Sequence, residues 1–531
     1  MPITPTYPGI YVEEIPNTSH TITASETSVT VFVGYTHPLK TLASSYGAAV
    51  EIFTFRDYER FCGGHFSIGW LRDDVGQAVA QFFANGGSHA WVVPLQAAFH
   101  PLPTGSSVVI AAPAVTVPAP SGPEGIAFAG LEPVDGAHPM TVTISNPRPS
   151  SGGSVREVAD IVVSYGTRTE SYRNVSLNAT KPTLELQLAA SSLVTVAKSG
   201  SAYPTEWAPD RVKQYPLVQP GVPSGPFTTY AAHDFAVAFD DDKALDKIPA
   251  FNLLLTPGVA DFPVVSAGLE VCTRKRAFMI MDPPPEAVAD GTNWPLPTIG
   301  DLMDGATGST TIPKSENGAL YFPYLRGTDP VMGTPLSVAP SGFVAGVFAR
   351  EDSNRGVWKA PAGYETVISG ARGVVPTGVM TNARQGELNK RGVNVLRQFP
   401  GIGTVVFGAR TSVSANAAFE QYKYVSVRRM ALFIEQSVVA SLPWVIFEPN
   451  DTPLWVSVKN SLDNFMIGLF HQGAFQGSTP DSAFKVICDS STTTPDDQAH
   501  GIMNVVIAFC PLKPAEFVIV QIAQLAGQSA A

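Results

Sequence analysis

Several fragments of this chain carry residue types that could do chemistry. Cys62-Gly63-Gly64-His65 holds a thiol and an imidazole, but a zinc site needs three or four ligands and no second Cys/His pair lies nearby, so the fragment reads as a turn. Asp240-Asp241-Asp242 could hold a divalent ion. It lacks the alternate spacing and closing Glu of a calcium loop, and ahead of Lys243 and Lys247 it reads as the acidic first turn of a helix. The glycines of Gly401-Ile402-Gly403 lead to no Gly-Lys-Ser/Thr, so a phosphate cradle is not expected. No Gly-x-Ser-x-Gly elbow occurs, and nothing in the spacing of the 9 histidines brings one to a serine and an acid. Phe465, Met466 and Phe470 recur at helical spacing, which describes a core stripe better than a cofactor pocket. Arg428-Arg429 and Lys459 fall on the polar sides of their helices. The residues therefore offer no catalytic, cofactor or metal site, and a non-enzyme is expected.

Composition points to surfaces rather than to reactions. The 531 residues exceed what one core holds, yet charged residues are only 15%, against roughly 25% in ordinary soluble domains, and hydrophobic residues reach 44%. No run approaches the roughly 18 apolar residues of a spanning helix, and the start lacks a basic segment followed by an apolar one. The expectation is a soluble protein made in the cytoplasm, with Cys62, Cys272, Cys488 and Cys510 as unpaired thiols. Net charge is −11, and residues 391–531 carry 9 Lys/Arg against 10 Asp/Glu, so no basic domain exists to bind nucleic acid.

The elements follow from pattern and punctuation. Ser28-Val29-Thr30-Val31-Phe32-Val33-Gly34 is β-branched and nearly continuous, as a strand buried on both faces must be. Val75, Ala78, Val79, Phe82 and Phe83 then recur at helical spacing, Asn85-Gly86-Gly87 ends the helix, and Ala90-Trp91-Val92-Val93-Pro94 supplies a second strand. Strand, helix, strand implies a parallel crossover. Residues 101–226 change to short alternating runs between Pro/Gly/Ser joints, which predicts an inserted all-β domain. Buried strands return at 251–256 and 277–283. Helices are expected at 427–440 and from an N-cap at Thr452 to Gly473, followed by strands at 484–488, 502–509 and 516–522. The Ile10-Tyr11-Val12 run, fenced by Pro8-Gly9 and Pro16, and the run after Pro514 are both short, isolated strands. Neither can build a sheet alone, so each must dock on a partner.

These runs carry a resemblance. Tyr7-Pro8-Gly9-Ile10-Tyr11-Val12-Glu13-Glu14-Ile15-Pro16 resembles the arm of a contractile tail sheath protein, as in myophages and phage-tail-like contractile injection systems. The likeness continues in order through Phe82-Phe83-Ala84-Asn85-Gly86-Gly87, the strand at 278–284, Ala319-Leu320-Tyr321-Phe322-Pro323-Tyr324 and Pro340-Ser341-Gly342-Phe343-Val344-Ala345-Gly346. It goes on through Arg355-Gly356-Val357-Trp358, Gly386-Glu387-Leu388-Asn389, Gly392-Val393-Asn394-Val395-Leu396-Arg397, Gly408-Ala409-Arg410-Thr411, Gln476-Gly477-Ser478-Thr479-Pro480 and Lys513-Pro514-Ala515-Glu516-Phe517. Only 101–226 matches nothing in that family.

The resemblance implies a multidomain α/β (α+β) protein. It would have an N-terminal linker arm (1–27), a subtilisin-like α/β sheath domain (28–100 with 227–390) and an inserted β-rich outer domain (101–226). An inner α+β domain (391–510) and a C-terminal linker arm (511–531) would complete it. It implies a structural subunit, without cofactor, that polymerises with itself as six-fold rings stacked around an inner tube and contracts. Baseplate and terminator or cap proteins would be partners, with an AAA+ ATPase if the particle is an injection system. By that reading Pro8, Gly9, Ile10, Tyr11, Val12, Glu13 and Glu14 form the N-arm, and Glu516, Phe517, Val518, Ile519 and Val520 the C-arm. Phe484, Val486, Ile487, Val505, Val506 and Ile507 would be the acceptor sheet, and 18–28 and 511–514 flexible joints. The competing expectations are a non-contractile shell or tube protein and a subtilisin-like hydrolase.

Overall fold

The computed structural model describes residues 21–102, 106–150, 153–177, 182–284, 312–375, 380–517 and 519. The chain divides into two compact units. One comprises residues 27–355 and 360–425, and the other gathers the N-terminal segment, 356–359 and everything from 426 onward.

The first unit is organised by an eight-stranded sheet in the order Val50–Ile52, Ala90–Leu95, Thr30–Tyr35, Leu253–Leu255, Phe278–Met281, Gly318–Phe322, Val393–Phe399, Gly403–Val406. The six inner strands are parallel, and each outer strand is antiparallel to its neighbour. Every residue of Thr30–Tyr35, Leu253–Leu255, Phe278–Met281 and Gly318–Phe322 is buried, as expected of strands covered on both faces. The crossover from Thr30–Tyr35 through helix Asp74–Ala84 to Ala90–Leu95 is the parallel unit read from sequence. The last two strands correct an expected boundary. Residues 393–406 complete this sheet, and the second unit's C-terminal part begins at Ser426 rather than at 391, because the parallel ladder at Gly318–Phe322 still offers unpaired backbone that Val393–Phe399 takes up.

Helix Ser341–Arg355 packs on helix Asp74–Ala84 nearly backbone to backbone. A Cβ on Gly342 would stand 2.4 Å from Ala78 Cα, and one on Gly346 would stand 2.6 Å from the Phe82 carbonyl oxygen. Two glycines four residues apart share one helix face, so they form the flat strip this approach needs. The helix begins under Asp282, the residue that follows strand Phe278–Met281. Its carboxylate accepts the Ser341 amide (2.8 Å), the Ser341 hydroxyl (2.6 Å) and the Gly258 amide (2.9 Å). Burial pushes this carboxyl up to about 6, against the downward pull of those hydrogen bonds. Asp282 thus caps a helix from another element, which explains an acid in an otherwise apolar run.

The inserted region leaves and returns on one antiparallel pair, Ala98–Pro101 with Phe227–Thr228. Between them lie an antiparallel four-stranded sheet (Arg168–Ser176, Val158–Tyr165, Met140–Arg148, Val212–Pro216) and a three-stranded one (Val194–Ser199, Gly125–Gly130, Ala114–Pro118), which match the β-rich texture. They share a core containing Ile126, Phe128, Ile161, Tyr165 and Trp207.

A buried charge cluster fastens this region to the large sheet's loops. Glu132, wholly inaccessible, receives His37 Nε2 (2.9 Å), Lys40 Nζ (2.5 Å) and Arg168 (2.7 Å). His37 Nδ1 accepts the amides of Leu39 and Lys40, so its one ring proton sits on Nε2 and the imidazole is neutral, in line with a pKa lowered by burial. Burial alone would raise Glu132. The His37 hydrogen bond, with the charges of Lys40 and Arg168, outweighs it and holds the carboxyl at about 2.

Two outcomes are expected. Gly346→Leu drives a side chain into the Phe82 backbone and destabilises this unit by roughly 3 kcal/mol or more, seen as insoluble protein or a collapsed melting temperature. Glu132 is depressed in the fold, so its stabilisation is complete above the unfolded carboxyl value and drains away as pH falls from 4.5 towards 2. Glu132→Gln removes that part of the acid dependence and costs about 3 kcal/mol at pH 7, measured by denaturant titration across pH.

Candidate functional site

The second unit is built on two helices, Val425–Ser441 and Thr452–His471. The second starts one residue earlier than its sequence suggests. Asp451 is the N-cap, its carboxylate accepting the Leu454 amide, and Thr452 is already helical. Phe433, Trp455, Leu462 and Met466 fill the core, with Phe465 and Phe470 packed at its margin, so the aromatic stripe is a core face. Arg428 and Arg429 depart from expectation. Both are buried rather than solvated, and Arg428 reaches Glu435 at 3.4 Å.

Against this core lies a sheet of two strands, Phe484–Ile487 and Val506–Phe509, paired antiparallel with Phe484 opposite Phe509 and Val486 opposite Ile507. Alternation assigns the faces. Phe484 and Val486 are buried inward with Ile507 and Phe509 half-buried beside them, while Lys485, Val506 and Ala508 look out. Val505 precedes its strand and packs at the core margin. The sheet's end is tied by Cys510 N to the Ala483 carbonyl (2.8 Å) and Gln476 N to the Cys510 carbonyl (2.9 Å), with Phe475 bridging to Pro511. Among the described residues no third strand pairs with either member. Two strands are marginal in water, and each outer edge is a row of ladder groups awaiting a partner.

The predicted acceptor residues Phe484, Val486, Ile487, Val506 and Ile507 are therefore gathered in one sheet, with Val505 adjoining it. The arms are not brought to it. Residues 8–14, Val518 and Val520 lie outside the described residues, while Phe517 and Ile519 are 72% and 85% exposed and, with Glu516, belong to no strand. The N-terminal joint is partly pinned. Ile22 is buried in the second unit's core, Thr23 N donates to Ser441 Oγ (3.0 Å) and Ser25 N to Ser437 Oγ (3.0 Å). The sequence signal for this anchor was slight: one isoleucine in a Thr/Ser run. Val357, from the Arg355-Gly356-Val357-Trp358 motif, fills the same core.

The fragments weighed for chemistry have structural roles. Gly63, at φ 86°, closes helix Phe55–Cys62, and His65 Nδ1 meets Asp73 at 2.6 Å. Gly401 and Gly403, both at positive φ, turn the hairpin between the last two strands of the large sheet. Asp240-Asp241-Asp242 does not open a helix. It follows the short helix Ala236–Phe239, with Asp242 left-handed at φ 60° and residues 241–247 in turns, because the Asp242 amide binds the Asp246 carboxylate (3.0 Å) instead of entering a helix. Among the described residues no three His, Cys, Asp or Glu side chains are placed to hold a metal ion, and no helix is long and apolar enough to cross a membrane.

Comparison with known proteins gives these features a context. Residues 242–412 match the family model described as the phage tail sheath protein central domain. The tail sheath protein of Vibrio phage KVP40 is 26% identical over 235 residues, which is 43% of this chain and 32% of that protein, so the match spans about a third of the relative's length. Among solved structures, the fold is similar to the sheath complex of the extracellular contractile injection system PVC in its contracted state. The TM-score is 0.58 at 20% identity, covering 98% of this chain and 99% of that one. A chain of the anti-feeding prophage baseplate gives 0.55 at 21%, covering 98% and 100%. The sheath tail protein from Desulfitobacterium hafniense gives 0.52 at 13%, covering 94% and 100%. The matched family is a structural one, not an enzyme family.

Anchoring of the N-terminal joint has a measurable consequence. Ile22→Ala empties a place in the second unit's core and lowers its unfolding stability by roughly 2–4 kcal/mol, readable by hydrogen exchange of helix Val425–Ser441.

Proposed function

We propose that the chain is a contractile tail sheath protein, the repeating subunit of a contractile sheath linked through its terminal strands, a reading supported by the match of residues 242–412 to the phage tail sheath protein central domain and by the similarity to a tail sheath protein. The observation that carries this reading is the two-stranded sheet with open edges in the same unit as an exposed apolar segment, Phe517 and Ile519, that pairs with no strand among the described residues. An apolar segment without a sheet and a sheet short of strands are complementary defects. Strand addition between copies resolves both, since main-chain hydrogen bonds supply affinity and alternate side chains supply register.

In this reading Ile10-Tyr11-Val12 of one copy, turned out by Pro8-Gly9 and followed by Glu13-Glu14, and the 516–520 segment of another flank Phe484–Ile487 and Val506–Phe509. The contact is heterologous, so it propagates into stacked rings. The six-fold symmetry of the anti-feeding prophage baseplate supports rings of six. The parallel sheet serves as the subtilisin-like sheath domain, the second unit faces an inner tube, and the insertion at 101–226 faces outward. Baseplate and terminator proteins cap the ends, and an AAA+ ATPase recycles the sheath where the particle is an injection system. Assembly takes place in the cytoplasm. Contraction is then a rigid-body rearrangement of subunits about intact strand linkers, from a metastable packing to a tighter one, with the energy stored in interfaces.

Removal of residues 1–17 tests the linkage while sparing the anchor at Ile22. Electron microscopy of the purified protein is expected to show soluble subunits or short stubs in place of long tubes. Tubes of wild-type length from the truncated chain would refute the arm model.

A further inference from the structure

The charge pattern of the first unit holds a feature that strand linkage does not use. A cleft of about 720 Å³ beside the hairpin of the last two sheet strands is lined by Arg326, Arg372, Arg397, Phe399 and the Gly401-Ile402-Gly403 turn. The Arg372 amide donates to the Arg326 carbonyl (2.8 Å), holding these two exposed residues side by side. Arg397 donates to the neutral Gln385 Oε1 (2.8 Å) and lies 5.0 Å over the Phe399 ring. Among the described residues, none of the three guanidinium groups has a carboxylate within 4.0 Å. Some other exposed cations of this unit are paired, Arg274 with Asp241 and Asp246, Arg355 with Glu365 and Lys390 with Glu387, while Arg56, Arg173 and Arg211 stand singly on the surface; the cleft differs in gathering three together. Three unpaired cations converging on a concavity focus positive potential there, and guanidinium planes bind carboxylates in bidentate fashion.

The chain itself offers a matching anion. Asp240-Asp241-Asp242 is its single run of three consecutive acidic residues, all three are exposed, and Asp241 is 90% so. The left-handed Asp242 sets the run on a turn instead of a helix. Arg274 keeps Asp246 as a partner if Asp241 leaves. No ion pair joins this turn to the cleft within one copy.

We propose that the Arg326, Arg372 and Arg397 cleft receives the Asp240-Asp241-Asp242 turn of a second copy of this chain. The contact is a side-to-side electrostatic one, heterologous and distinct from the terminal strands. It rests on the reading that this chain assembles with itself.

A charge exchange in the full-length protein tests it. At low ionic strength, Arg326→Glu with Arg372→Glu, and separately Asp240→Lys with Asp241→Lys, are each expected to raise the critical concentration for assembly at least about tenfold, as loss of close charge pairs does. Combining all four substitutions should bring it back to within about threefold of wild type. Melting temperatures monitor folding, and Arg326→Gln with Arg372→Gln replaces any pair that unfolds. In parallel, Arg372→Cys and Asp241→Cys in a Cys510→Ser background should give oxidative cross-links between copies. Wild-type assembly by either charge-reversed pair, or a combined protein no better than its parents, overturns the proposal. Cross-links without tubes would refute the sheath reading and keep this contact. Tubes without cross-links or rescue would refute this contact alone.

Discussion

Every backbone N–H and C=O taken from water must find a partner, and the two units of this chain meet that demand differently. The eight-stranded sheet meets it mostly within itself: only its two outer strands keep an edge, and that of Gly403–Val406 is bonded by residues 363–368. The sheet of the second unit stops at two strands. Each edge hydrogen bond contributes only about 1 kcal/mol, but a row of them left open along an apolar sheet is a standing preference for another chain. The assembly reading follows from this shortfall more directly than from any single side chain.

The low charge content has two origins. One lies inside the first unit, where strands such as Thr30–Tyr35 and Gly318–Phe322 are buried on both faces and helix Ser341–Arg355 is buried along most of its length. Those strands and residues 341–349 of that helix have no solvent face on which to carry charge, and the helix's charged residues begin only at Arg350. The other lies on the second unit, which exposes Val439, Ile446, Phe447, Val456, Val506, Phe517 and Ile519. Scattered exposed aliphatic residues need no explanation, but so many on one small unit are what a shared surface requires.

Much of the fold was legible because its signals are local. The continuous β-branched run at 28–34, the helical spacing from Val75 to Phe83 and the prolines and glycines at the joints each reported their element within a few residues. The strands Phe484–Ile487 and Val506–Phe509 were legible for the same reason. What escaped the sequence depends on distant partners. Asp240-Asp241-Asp242 looked like a helix start until the Asp246 carboxylate claimed the Asp242 amide, and residues 393–406 looked like a new domain until the Gly318–Phe322 ladder claimed them. Arg428 and Arg429 were placed on a solvated face by helical phase alone, which does not see what packs above a helix. Asp282 and Gly346 stood in runs whose order resembles a family, yet their work, capping one helix and letting another approach, is visible only in three dimensions.

Two kinds of contact with different physics suit a polymer that must rearrange without falling apart. An added strand of four or five residues brings several main-chain hydrogen bonds of about 1 kcal/mol each, indifferent to salt and fixed in register by alternation. An exposed guanidinium–carboxylate pair contributes about 0.2–1 kcal/mol, is screened over roughly 8–10 Å at ordinary ionic strength and tolerates sliding. Under a common load the charged contact yields first and the strand linker persists. Subunits joined by both can exchange one lateral packing for another while the chain of linked copies stays whole.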